Sequence, residues 1–213
     1  MRFNNNHIFQ MNRSELIRVL SDAFSKMLCY ERDLFDAVNQ VQERAFMHRF
    51  AFWLQCILKD KSFDGDEWRL FVDVEYNRDG DDVKRIDNGK VWTAPDIIFH
   101  ERKSGAIEGR YKYRNDVFCC EMKKHGRPRG EDAERVKMFM AEKRYLFGID
   151  FYQFACRDAK FDLYEKGQKC QSYQFDEVRN SFVAIKQCVR KGRYTKQKYC
   201  SDCNKGGIVG RVD

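Results

Sequence analysis

Apolar positions along this chain follow two periods, and their order sets the fold class. Spacing of three and four residues marks helices, and strict alternation marks strands. Leu16, Ile17, Leu20, Ala23, Phe24 and Met27 predict a first helix with Ser14 as its cap. Leu34, Val38, Val41, Ala45, Phe52 and Cys56 continue the helical period through a second, long helix from about Glu31 to Leu58. The period then changes. Leu70, Val72, Val74 and Tyr76 alternate with Phe71, Asp73, Glu75 and Asn77, the pattern of a half-buried strand over residues 69–77. Further strands are predicted over 91–100, opened by Pro95, and over 115–123. An amphipathic helix follows over 131–147, carrying Ala133, Val136, Met140 and Tyr145, with Gly148 expected as its C-terminal cap. Strands over 149–156 and 160–164 and a last helix over 176–190, built on Phe182, Val183, Ile185 and Val189, complete the order. The sequence α-α-β-β-β-α-β-β-α implies an α/β fold with helices flanking one mixed central sheet.

The chain has 213 residues, enough for one well-buried domain. Aromatics at 15% and apolar residues at 43%, beside 34% charged residues, fit a globular protein with charged faces and exclude a disordered chain. No tract approaches a membrane span, and Met1 to Asn12 lacks the apolar core of a signal peptide, so no membrane partner and a cytoplasmic location are expected. Most of the nine cysteines lie inside patterned segments, as Cys29, Cys56, Cys119, Cys120 and Cys156 do, which suits buried reduced thiols.

The net charge of +7 is concentrated at the C-terminal end, where residues 186–213 carry eight basic and two acidic side chains. Lys186, Arg190, Lys191, Arg193, Lys196 and Lys198, with Tyr194 and Tyr199 between them, have the composition of a segment that tracks phosphates. A solvated tail explains the same residues. Cys200-x-x-Cys203 is half of a zinc site, and no second pair stands at ligand spacing, so Zn2+ is not expected there.

The candidate chemistry lies in Val117-Phe118-Cys119-Cys120-Glu121-Met122-Lys123. On a strand, Glu121 and Lys123 share a face while Phe118, Cys120 and Met122 share the other. Asp96, on the preceding strand, would be brought to the same edge. Two carboxylates and the Met122 carbonyl suit a hard cation such as Mg2+, and a lysine beside them can assist attack on a phosphodiester. Acid-x-lysine is a common spacing, present also in Asp82-Val83-Lys84, Glu101-Arg102-Lys103 and Asp158-Ala159-Lys160. Glu121 differs because it closes an apolar run. An exposed cross-strand ion pair is the competing account of Glu121 and Lys123.

Together, Glu43-Arg44 with His48-Arg49, Glu75-Tyr76-Asn77-Arg78, Pro95-Asp96-Ile97-Ile98 with His100, and Glu121-x-Lys123-Lys124 resemble the PD-(D/E)xK nuclease superfamily, and small uncharacterised bacterial members of it in particular. The resemblance spans roughly residues 41–156. It implies a restriction-endonuclease-like αβββαβ core and a nuclease that uses Mg2+ or Mn2+. Asp96, Glu121, the Met122 carbonyl and Glu43 would hold the metal, and Lys123 would be the catalytic lysine. His48, Glu75, Lys124 and Lys137 fall in supporting or substrate-binding places, and Asp73 shares a strand face with Glu75. The implied substrate is nucleic acid, DNA favoured over RNA; an inactive nucleic-acid-binding member of the same fold is the alternative, and a dimer is compatible with either. The expected organisation is an N-terminal helical extension (1–30), a nuclease-like domain (31–185) and a basic tail (186–213).

Overall fold

The computed structural model describes residues 11–36, 41–59, 70–75, 94–102, 116–124, 126, 130–143 and 145–185 with their side chains. It also describes the backbone of four two-stranded ribbons, pairing 2–3 with 9–10, 63–64 with 67–68, 78–79 with 82–83, and 85–86 with 91–92. The central element is a seven-stranded mixed sheet. Its strands are β1 (Leu70–Val74), β2 (Ile97–Glu101), β3 (Asp116–Lys123), β4 (Phe147–Tyr152), β5 (Lys160–Glu165), β6 (Gln168–Asp176) and β7 (Ser181–Ala184). They lie side by side in chain order. Every neighbouring pair is antiparallel except β3 and β4, which run parallel because helix α3 (Gly130–Lys143) carries the chain between them.

Helices α1 (Arg13–Tyr30) and α2 (Glu43–Leu58) belong to one apolar cluster, and α3 belongs to another. Strand alternation sorts the core accordingly. Phe118, Cys120 and Met122 join the α1/α2 cluster with Ile97, Ile149 and Phe151, whereas Ile98, Cys119 and Tyr164 pack with Val136, Phe139 and Met140 of α3. Phe24 lies at the middle of the larger cluster, its ring within 6.0 Å of those of Phe35, Phe151, Phe175 and Phe182.

Several predicted elements are corrected. The first helix is capped by Asn12, not Ser14: Glu15 N–H donates to Asn12 Oδ1 at 2.9 Å, and Asn12 N–H donates back to Glu15 Oε2 at 3.0 Å. The long second helix is interrupted. Arg32–Phe35 form a separate 3-10 turn closed by extended Asp36, and regular helix begins only at Glu43. Gly148 does not cap α3; it is a β4 residue beneath the helix, where an added Cβ would lie 2.4 Å from Val136 Cγ1 and 2.6 Å from Met140 Sδ. The expected strand over 91–100 divides, Val91–Trp92 joining a ribbon and Ile97–Glu101 the main sheet.

The described part of the last predicted helix is a β-hairpin. Asp176 Oδ1 accepts from Val178 N–H and Arg179 N–H, Asn180 takes a φ of 52°, and β7 returns along β6. The buried Phe182 N–H donates to Ser21 Oγ of α1 at 2.9 Å. Strand β6 was not predicted; it follows a tight turn in which Lys166 (φ 51°) and Gly167 (φ 72°) both take the left-handed conformation. The sheet therefore has two more strands than the spacing of apolar residues implied. No helix among the described residues is long and apolar enough to cross a membrane.

Candidate functional site

Alternation places Glu121 and Lys123 of β3 on the α3 face, and residues directly opposite each other in a sheet share a face. Glu121 stands opposite Asp150 of β4, Asp150 opposite Asp162 of β5, and Asp162 opposite Ser172 of β6. Three carboxylates thus form one cross-strand row, and a fourth, Asp132, comes down from α3. Glu121, Asp132, Asp150 and Asp162 are all buried.

The row is neutralised unevenly. Asp162 accepts from Lys169 Nζ at 2.5 Å and from Ser172 Oγ at 2.7 Å. Glu121 Oε2 accepts from the guanidinium of Arg135, which also reaches Asp132 Oδ1 at 3.4 Å. Glu121 Oε1, Asp132 Oδ2 and both oxygens of Asp150 are buried without a hydrogen-bond partner among the described residues. Burial, reinforced by Asp96, raises the Glu121 carboxyl to about 8 against the pull of Arg135. Burial, with Asp162 and Asp132 nearby, raises Asp150 to about 7.

Asp96 stands just before β2. Its Oδ2 accepts from Met122 N–H at 2.6 Å, and its own carbonyl accepts from Glu75 N–H at 3.0 Å. Burial raises its pKa, opposed by that backbone hydrogen bond and by the charges of Lys123 and Arg135. Glu43, at the first position of α2, closes the end of β3 from the other side: its Oε1 lies 3.6 Å from Lys123 Nζ, and its Oε2 accepts from Lys124 N–H at 2.9 Å. The Lys124 ammonium donates to the Val41 carbonyl.

The fold therefore gathers Asp96, Glu121, Met122, Lys123 and Glu43 around the end of β3. Other predicted residues fall elsewhere. Asp73 is buried against His100 Nε2 at 2.9 Å and also accepts from Arg102; these hydrogen bonds outweigh the opposing effect of burial and hold it at about 2. Glu75 is exposed, has a φ of 48° and pairs with Arg44 at 2.8 Å. His48 is exposed on α2. Lys137 pairs with Glu134 at 2.7 Å. Lys186, Arg190, Lys191, Arg193, Lys196, Lys198, Cys200 and Cys203 lie outside the described residues.

Sequence reasoning missed Asp132, Arg135, Asp150 and Asp162. The signal for two of them was present, since Asp150 lies between Ile149 and Phe151, and Asp162 between Phe161 and Leu163, as lone acids inside apolar strands.

Among the described residues no group of three or more His, Cys, Asp or Glu side chains stands at metal-ligand spacing. The donor chemistry at β3 still suits a hard divalent cation: two carboxylates, a backbone carbonyl, and a buried Glu121 oxygen with no other partner. No family model, curated protein or solved structure matches this chain.

Proposed function

We propose that the protein is a metal-dependent nuclease that hydrolyses phosphodiester bonds of nucleic acid, with DNA as the favoured substrate. The observation that carries this reading is the meeting of Asp96, buried Glu121 and Lys123 at the end of one strand, with Glu43 beside the lysine. The order α2-β1-β2-β3-α3-β4 accords with the αβββαβ core of the PD-(D/E)xK superfamily, and strands β5 to β7 extend that core.

In this reading Asp96, Glu121 and the Met122 carbonyl hold Mg2+ or Mn2+, with Glu43 as an accessory ligand. When bound, such an ion would supply activation of the attacking water and charge stabilisation at the leaving oxygen. The Lys123 ammonium, paired with Glu43 and partly open to solvent, contacts the scissile phosphate and offsets negative charge in the transition state. The Met122 N–H holds Asp96 in place. Arg135 only partly offsets the burial that holds the Glu121 carboxyl at about 8, so a cation bound there would have to complete its ionisation.

The Arg135 contact also favours the second reading, a non-catalytic nucleic-acid binder, because a guanidinium already satisfies one oxygen of Glu121. Lys123→Ala separates the two. With Mg2+ or Mn2+ and duplex, single-stranded and branched DNA and RNA as substrates, a nuclease loses cleavage by about 100-fold or more while retaining nucleic-acid binding. A wild-type protein that leaves every substrate intact overturns the nuclease reading.

A further inference from the structure

Far along α2 from Glu43, the surface carries an aromatic step. Tyr30, 67% exposed at the end of α1, stacks on Trp53 of α2 with centroids 5.4 Å apart and planes 23° apart. Phe52, 47% exposed, meets the same indole edge-on at 5.1 Å. Two cations accompany the rings: Lys26 Nζ lies 5.7 Å from the centroids of both Tyr30 and Trp53, and the Arg49 guanidinium lies 4.8 Å from that of Phe52.

Helical spacing builds the step. Lys26 and Tyr30 are one turn apart on α1, and Arg49 is one turn before Phe52 and Trp53 on α2. Arg49 also donates to Glu31 Oε1 at 2.9 Å, which ties the two helices together beneath the rings. Trp53 is half-buried against the larger apolar cluster, whereas Tyr30 and Phe52 lie open on the surface.

An apolar protein partner would have to strip water from Lys26 and Arg49 to cover these rings, a costly burial of charge. A nucleic-acid strand needs no such desolvation. Its bases stack on the rings, and its phosphates remain in water beside the cations. Bases of a duplex already have stacking partners, so the feature selects unpaired ones. Phe52 and Trp53 lie nine and ten residues after Glu43, about 14–15 Å along the helix and on other faces of it, so the aromatic step is separate from the end of β3.

We infer that Tyr30, Phe52 and Trp53 form a stacking platform for the unpaired bases of single-stranded nucleic acid, with Lys26 and Arg49 on the adjoining phosphates. The choice of nucleic acid as the polyanion rests on the nuclease reading.

The test is binding of the full chain to a labelled oligothymidylate in EDTA, read by fluorescence anisotropy, with a duplex of equal length beside it. Tyr30→Ala/Phe52→Ala, both exposed positions, should weaken single-strand binding about tenfold or more and duplex binding less than twofold. Tyr30→Phe, which keeps the ring, should bind as wild type. Unchanged single-strand affinity in the double variant, equal losses on both substrates, or loss of a dimer in sedimentation with no change in binding would each overturn the inference. The two ideas fail separately. Metal-dependent cleavage with patch-independent binding sinks the platform alone, and patch-dependent binding without any cleavage sinks the nuclease alone.

Discussion

Asp150→Asn offers the sharpest measurement of the buried acid row. The wild-type side chain is fully buried, and neither oxygen has a hydrogen-bond partner among the described residues. Its pKa rises from an ordinary 3.8 to about 7, a preference of about 4 kcal/mol for the protonated form. The folded value lies above the unfolded one. Stability from this group is therefore complete below the unfolded pKa and is lost as pH climbs towards the folded pKa. Between pH 5 and pH 9 the wild type should lose about 3 kcal/mol relative to the Asn variant, whose amide does not titrate. The protonated wild-type carboxyl and the amide are both buried without a partner, so their desolvation costs largely cancel and the change with pH is the quantity to read. Urea denaturation at both pH values, fitted as two-state, measures it. A stability difference that stays constant between pH 5 and 9 would refute the reasoning, because it would mean that Asp150 is ionised or neutral in the folded and unfolded chains alike.

Gly148→Ala would drive a methyl into Val136 and Met140 and should cost about 1–3 kcal/mol in urea denaturation, with the circular-dichroism spectrum retained. Phe24→Ala, in the middle of the larger cluster, should cost about 3–5 kcal/mol by the same measurement. Removing residues 186–213 should weaken nucleic-acid binding and flatten its dependence on salt, because those side chains supply counterion release; an unchanged slope in a salt titration would end that role.

The α/β class and most of the strands nearest the site were legible because their apolar runs are long and unambiguous. Glu121 stood out as an acid among buried neighbours, and the same rule points at Asp150 and Asp162. Strand β6 escaped because residues 168–170 are polar and exposed and only Tyr173 and Phe175 face inward, too few for a period. The apolar residues of β7 fit a helix as well as a strand, because Phe182, Val183 and Ile185 satisfy either period over so short a stretch. The backbone of Asn180 and the turn closed by Asp176 decide between them. Arg135 could not be read in advance at all. Its meeting with Glu121 depends on how α3 lies across the sheet, a tertiary relation that no local spacing encodes.

The one parallel strand pair also has a meaning in time. Every other neighbouring pair joins strands consecutive in an antiparallel run, while β3 and β4 can meet only after α3 has carried the chain back across the sheet. Glu121 and Asp150 face each other across that seam, each already beside an acid of its own half, Asp96 for Glu121 and Asp162 for Asp150. Burial, the largest cause raising both carboxyls, is complete only when α3 and the two strands have closed over them, so protonation of the pair accompanies the last step of assembly.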